Sequence, residues 1–195
     1  MKKNMLIFTL LFSLSSMALD AQNFKKPNRK FRAGQTDLQI GNGLLPLAGL
    51  LNDATVILPP LTLRLGYFFS KNFSLGTAYT FSSMEGNPNL EVGDPSVRIR
   101  LVSHLAGIRA AAHFTELPNA DLYGGCMLGV YFQRFHILSD SPSYPEGSQG
   151  FRHARTTLSY SAFLGARYAF LRKWSVFGEL GFSTALATVG IGRML

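Results

Sequence analysis

Within Thr157 to Leu195, the run SYSAFLGARYAFLRKWSVFGELGFS alternates large apolar residues with small or polar ones at a period of two, the repeat of strands and not of helices. If Phe170 faces Trp174 across Leu171, Arg172 and Lys173, then Tyr168 faces Val176 and Arg167 faces Phe177. Both arms then keep their large residues on one side: Leu158, Tyr160, Leu164, Tyr168 and Phe170, followed by Trp174, Val176, Leu180 and Phe182. The other side reads Ser159, Ser161, Phe163, Gly165 and Arg167, then Ser175, Phe177, Glu179 and Gly181. With one Arg and one Glu among small residues, this second face is too lean for a solvated surface. A greasy face whose aromatics gather at the turn suits a barrel that meets lipid on its outside.

The same alternation recurs upstream. Asp37 to Leu44 predicts a first strand with Leu38 and Ile40 on one side and Gln39, Gly41 and Gly43 on the other. Leu45 to Pro60 breaks the period with Pro46, Asn52, Asp53, Pro59 and Pro60 and reads as an outer connection. Leu61 to Phe69 and Phe73 to Ser82 predict strands two and three, joined by the tight turn Ser70, Lys71 and Asn72. Phe69 opposite Phe73 keeps both in phase, with Thr62, Arg64, Gly66 and Phe68 inside the second and Ser74, Gly76, Ala78 and Thr80 inside the third. After the polar loop Met84 to Ser96, strand four ends at Phe114 with Gly107, Arg109, Ala111 and His113 inward. Arg98 and Arg100 do not keep that phase unless a bulge intervenes, so they are expected on an extension beyond the lipid. Asp121 to Phe135 is strand five with its even positions outward, and Ile137 to His153 is a long outer loop. The hairpin described first supplies strands six and seven, and Ala187 to Leu195 the eighth.

Long connections follow strands one, three and five and tight turns follow two, four and six, the asymmetry of an eight-stranded antiparallel up-and-down transmembrane β-barrel, an all-β fold. Beside the tight turns stand Phe69, Phe73, Phe114, Tyr168, Phe170 and Trp174, which read as a periplasmic aromatic girdle.

Composition and targeting agree. Lys2 and Lys3, the apolar run Met5 to Leu14 and the small residues up to Ala21 form a secretory signal peptide, residues 1–21, cleaved after Ala18 or Ala21. The run is shorter than the roughly 20 residues of a membrane helix, and no later stretch is apolar enough to be one. A membrane-embedded mature chain must therefore span as a barrel. Residues 22–34 form a basic leader carrying Lys25, Lys26, Arg29, Lys30 and Arg32, either solvated or held on anionic headgroups at the periplasmic leaflet. The barrel occupies residues 35–195. Of the formal charge of +8, much lies in the leader and the cleaved peptide, and without basic and aromatic residues interleaved on a recognition fold, nucleic acid is not an expected partner.

From Gly34 to Leu195 the chain resembles the small eight-stranded outer-membrane barrels of the OmpA/OmpX type. The strings that carry the resemblance are AGIRAAAHF (Ala106 to Phe114), DLYGGCMLG (Asp121 to Gly129), FLGARYAF (Phe163 to Phe170) and FGELGFS (Phe177 to Ser183). It implies a monomer in the outer membrane, with outer-membrane lipids around it. It also implies recognition of the last strand by the barrel-assembly machinery, which Thr188, Gly190 and Leu195 fit, although Arg193 stands where an aromatic is usual.

Candidate chemistry is sparse, and no cofactor, metal or catalytic residue is expected. His104, His113, His136 and His153 lack metal-ligand spacing. Ser103 beside His104 cannot share a proton with it, because strand neighbours point to opposite faces. His136 near Ser139 carries no known motif, and Cys126 reads as an apolar filler. Arg64, Arg109, Arg167 and Glu179 share the inner face of a barrel too narrow for open water, so they are the candidates for a lumen ion-pair network or a narrow gated pore. Arg167 and Glu179 lie diagonally across their hairpin beside Gly165 and are expected to pair. The reading is a non-enzymatic outer-membrane barrel acting through its outer loops. The alternatives are a lipid-modifying outer-membrane enzyme of the same architecture and a soluble lipocalin-like carrier.

Overall fold

The computed structural model describes residues 30–46, 55–86, 97–115, 117–139 and 153–195. The expected signal peptide, the expected leader up to Arg29 and the connections at 47–54, 87–96 and 140–152 lie outside the described residues. Among the described residues eight strands form one closed sheet: β1 (Thr36–Gly43), β2 (Thr55–Phe68), β3 (Phe73–Gly86), β4 (Val97–His113), β5 (Ala120–Ser139), β6 (His153–Ala169), β7 (Trp174–Gly181) and β8 (Ala187–Met194). Each runs antiparallel to its chain neighbour, and β8 closes on β1 through pairs such as Ile40 with Ile191. Closure leaves no sheet edge over the stretch that all eight strands share.

The period-two alternation decides which residues go where. Leu63, Leu65, Tyr67, Leu75, Tyr79, Ile108, Leu128, Leu164, Leu180 and Ile191 are exposed on the outside, while Arg64, Phe68, Ala78, Arg167, Phe177 and Glu179 are buried inside. The β6–β7 hairpin has the expected register, Tyr168 against Val176 and Arg167 against Phe177. Along β4 the outer positions from Ala112 to Val102 carry no formal charge. The ten steps from Val102 to Ala112, at about 3.3 Å rise and about 40° tilt, span about 25 Å, the height of an outer-membrane barrel's apolar band. His104 is tolerated within it because its Nδ1 lies 2.7 Å from the Tyr79 hydroxyl.

The strands outrun their expected ends on the long-loop rim. β2 begins at Thr55 and not at Leu61: Pro59 and Pro60 do not end the strand but sit where its pairing with β3 slips, between Leu58 and Leu61. A bulge is where a strand accommodates residues that cannot donate to the ladder. β3 takes in Met84 to Gly86, β5 runs on to Ser139 and β6 starts at His153, so the loops expected from Met84 and from Ile137 to His153 are shorter. β4 is continuous and pairs with β3 without a bulge. Arg100 keeps the outer phase one step beyond the apolar band, where its Nε donates to Glu85 Oε1 at 2.6 Å; the Arg98 side chain lies outside the described residues. β1, β7 and β8 stay at eight residues while β2 to β6 reach 14 to 20, so the wall stands taller on one side.

The end of the leader differs most from expectation. Residues 30–34 are not a solvated arm: Phe31 is buried against Phe68, Ala169 and Met194 at the tight-turn mouth. An aromatic ring beside an apolar mouth gains by leaving water, whatever the charge of its sequence neighbours.

Candidate functional site

The inward residues meet in the lumen in two charged layers. In the middle layer β2, β4 and β7 bring Arg64, Arg109 and Glu179 together. Arg64 Nη2 and Nη1 donate to Glu179 Oε1 and Oε2 at 2.9 and 3.0 Å. Arg109 Nη2 and Nη1 donate to Oε2 and Oε1 at 2.7 and 3.1 Å. One carboxylate thus accepts two bidentate forks, the strongest geometry the pair of groups offers. Each guanidinium also rests on a ring: Arg109 is 3.7 Å from the Phe163 centroid and Arg64 5.1 Å from that of Phe177.

The layer nearer the tight turns inverts that arrangement. Arg167 from β6 stands between two carboxylates, donating from Nε to Asp121 Oδ2 at 2.8 Å and from Nη1 to Asp37 Oδ2 at 2.7 Å. Gln39 Nε2 donates to the same oxygen of Asp37 at 2.6 Å. His113 Nδ1 lies 2.8 Å from Asp121 Oδ2, and its Nε2 lies 2.8 Å from Ser74 Oγ. Phe31, Phe68 and Tyr123 surround the Arg167 guanidinium, with ring centroids at 3.9, 4.8 and 5.6 Å. Over both layers three Arg face three carboxylates, so the formal sum is zero with His113 neutral.

Three of the four expected network members meet, and the expected partnership of the fourth is wrong. Arg167 does not pair with Glu179. Gly165 does leave room across the hairpin, but Tyr123, directly opposite on β5, takes it: a Cβ on Gly165 would fall 2.5 Å from the Tyr123 ring. The ring stands between the layers and its hydroxyl lies 3.4 Å from Glu179 Oε2. Asp37, Asp121, His113, Ser74 and Tyr123 complete the site without having been singled out as partners. Parity held the signal, since all five occupy inward positions of their strands. The six girdle residues Phe69, Phe73, Phe114, Tyr168, Phe170 and Trp174 all point outward beside the tight turns. Arg193, opposite Trp174 on β8, lays its guanidinium 5.5 Å from that ring and so covers it from the place of an aromatic.

Ser74, His113 and Asp121 repeat the hydrogen-bond order of a hydrolase triad, but the surroundings do not serve acyl transfer. His113 is packed against Phe68 and Tyr123, and the adjoining cavity is about 50 Å³. That space suits waters, far below the several hundred Å³ of ordinary ligand pockets. A second lumen cavity of about 20 Å³ lies above the middle layer, beside the Thr62 and Thr80 hydroxyls, which meet at 2.9 Å. A larger cleft of about 450 Å³ opens on the outer wall between Leu164, Leu180 and Phe182, an apolar surface facing where acyl chains would lie. Among the described residues no group of three or more His, Cys, Asp or Glu is placed to hold a metal ion.

No protein-family model matches the chain, and no curated protein matches it. Solved structures do. The outer membrane protein OprG from Pseudomonas aeruginosa is similar at a TM-score of 0.56 and 13% identity, covering 86% of this chain and 99% of its own. The N-terminal β-barrel domain of Pseudomonas aeruginosa OprF is similar at 0.51 and 15%, covering 84% and 99%. The protein has the fold of the eight-stranded outer-membrane barrels. At such identities the likeness extends to the fold alone.

Proposed function

We propose that this protein is a non-enzymatic outer-membrane barrel whose lumen is closed by side chains and whose contacts with other molecules run through its outer wall and long-loop rim. The observation that carries the reading is the inversion of polarity. Leucines and aromatics are exposed outside, and the three Arg–carboxylate sets are buried inside. A soluble carrier needs the reverse, a wet exterior and an apolar cavity. Lipid surrounds the wall, with the Phe69 to Trp174 girdle at the periplasmic interface and the Arg100–Glu85 pair among the outer headgroups. The assembly machinery recognises β8.

Fractionation with single-channel recording tests the reading. The expected outcome is recovery in the detergent-extracted envelope, faster migration of the unheated protein on gels and no steady conductance in planar bilayers. Recovery in the soluble fraction would make the protein a carrier, and a large steady conductance would make it a porin.

A further inference from the structure

We propose that the segment from Lys30 to Gln35 is a built-in stopper for the periplasmic mouth, with Phe31 as its plug and Arg167 as its seat. The segment is stitched to three different turns. The Lys30 amide donates to Pro118 O at 3.0 Å beside the β4–β5 turn, and Lys30 Nζ reaches Ala169 O and Leu171 O at 3.4 and 3.3 Å beside the β6–β7 turn. Gly34 N–H donates to Phe68 O at 2.8 Å and Phe68 N–H to Gln35 O at 3.0 Å, beside the β2–β3 turn. Gly34, at φ 83°, makes the bend that brings the crossing segment round into β1. The span is therefore fixed at both ends and across the opening, which an incidental tail would not be.

The plug itself fits a site that the barrel prepares. Phe31 is 5% exposed, and its ring lies 3.9 Å from the Arg167 guanidinium that Asp37 and Asp121 hold in place. A guanidinium pinned by two carboxylates presents its flat face to the mouth, and a ring is the group that covers such a face while shedding water. The proposal deepens the closed-lumen reading and relies on it for function. Two closures stand in series, the stopper at the mouth and the Arg64–Glu179–Arg109 layer behind it. Withdrawing the stopper uncovers the Arg167 layer to the periplasm while the middle layer still bars the lumen.

A thiol probe reads the stopper without needing conductance. Ser175 faces inward at the mouth, 1% exposed and paired with Ala169 of the plug's cluster. Ser175→Cys is placed in a Cys126→Ala background, folded in micelles, checked by its unheated gel migration and treated with a small charged methanethiosulfonate. Labelling is expected to be slow in the parent, about tenfold or more faster with Phe31→Ala, and slow again with Phe31→Tyr, since access depends on local opening of the mouth. Leu128→Ala, on the exposed outer face of β5, should leave the rate unchanged. Should Phe31→Ala not fold, Phe31→Leu keeps the bulk without the ring face and should label about threefold faster than the parent. Equal rates with and without the ring would overturn the stopper. Steady conductance by the unmodified barrel would sink the closed lumen alone, because the labelling ratio is read independently of it.

Discussion

The two charged layers of the lumen are mirror images in charge. In the middle layer one anion, Glu179, is shared by two cations; near the mouth one cation, Arg167, is shared by two anions. Each layer is formally unbalanced by one charge, +1 and −1, and the two cancel across the Tyr123 ring. The shared ion is therefore not equivalent to its partners. Removing it leaves two like charges buried side by side, whereas removing one partner leaves a balanced pair. Both central residues sit on the β6–β7 hairpin, so one hairpin of the barrel organises the interior.

The largest expected effect tests that inequality. Glu179→Ala, or Arg167→Ala, should destabilise the barrel by about 3 to 5 kcal/mol, because like charges are stranded in a poorly solvated space. Arg64→Ala should lose less, about 1 to 3 kcal/mol, since Arg109 keeps its bidentate bond to Glu179. Unfolding titrations in lipid give both numbers. Equal losses would mean that the layers are not organised around a shared ion.

One residue along the same strand the sign of the environment reverses. Leu180 faces lipid, so Leu180→Arg places a cation one position from Glu179 yet on the opposite face, out of its reach. The expected loss is about 2 to 4 kcal/mol, the cost of a cation near the bilayer midplane. A neutral or stabilising result would put position 180 in the lumen and overturn the assignment of faces.

The partition between the layers depends on Gly165 having no side chain. A methyl there would meet the Tyr123 ring at 2.5 to 2.8 Å. Gly165→Ala should therefore cost about 1 to 3 kcal/mol as an overpacked contact, with most of that loss relieved in a Tyr123→Leu background. The same loss in both backgrounds would show that the ring is not what fills the space.

How far the sequence discloses this arrangement depends on the kind of interaction. Parity is local, and a period of two places Arg64, Arg109 and Glu179 on the inside and Leu180 on the outside without knowledge of any neighbour. Partnership across a lumen is not local. It depends on the height at which each strand enters and on which bulky side chain fills the gap a glycine leaves. The hairpin register is correct while the Arg167–Glu179 pair is not, because Tyr123 arrives from a strand some 40 residues earlier in the chain. Phe31 was hidden differently, as one aromatic within a basic run that has no period. Pro59 and Pro60 suggested a strand end because propensity speaks only of the lost donor, and the bulge that accommodates them is a property of the pairing with β3.

The smallest expected effect is the most pointed test of separate layers. Arg167 and Glu179 carry opposite charges and lie on adjacent strands, so direct attraction would give a double-mutant cycle a coupling of a kcal/mol or more, as for any contacting pair at about 0.5 to 3 kcal/mol. Each, however, has its charge met by two partners of its own, and Tyr123 stands between them. Both touch Tyr123, Glu179 through its hydroxyl and Arg167 through its ring face, but neither bonds the other. The cycle on Arg167→Ala and Glu179→Ala should therefore show a coupling below about 1 kcal/mol, at the low end for sites linked only through a common neighbour. A cycle on Arg64→Ala and Glu179→Ala in the same lipid should show clear coupling and so certify that the method detects a lumen pair. Strong coupling of Arg167 to Glu179 would mean that the ring does not insulate the two ions and that the lumen holds a single network.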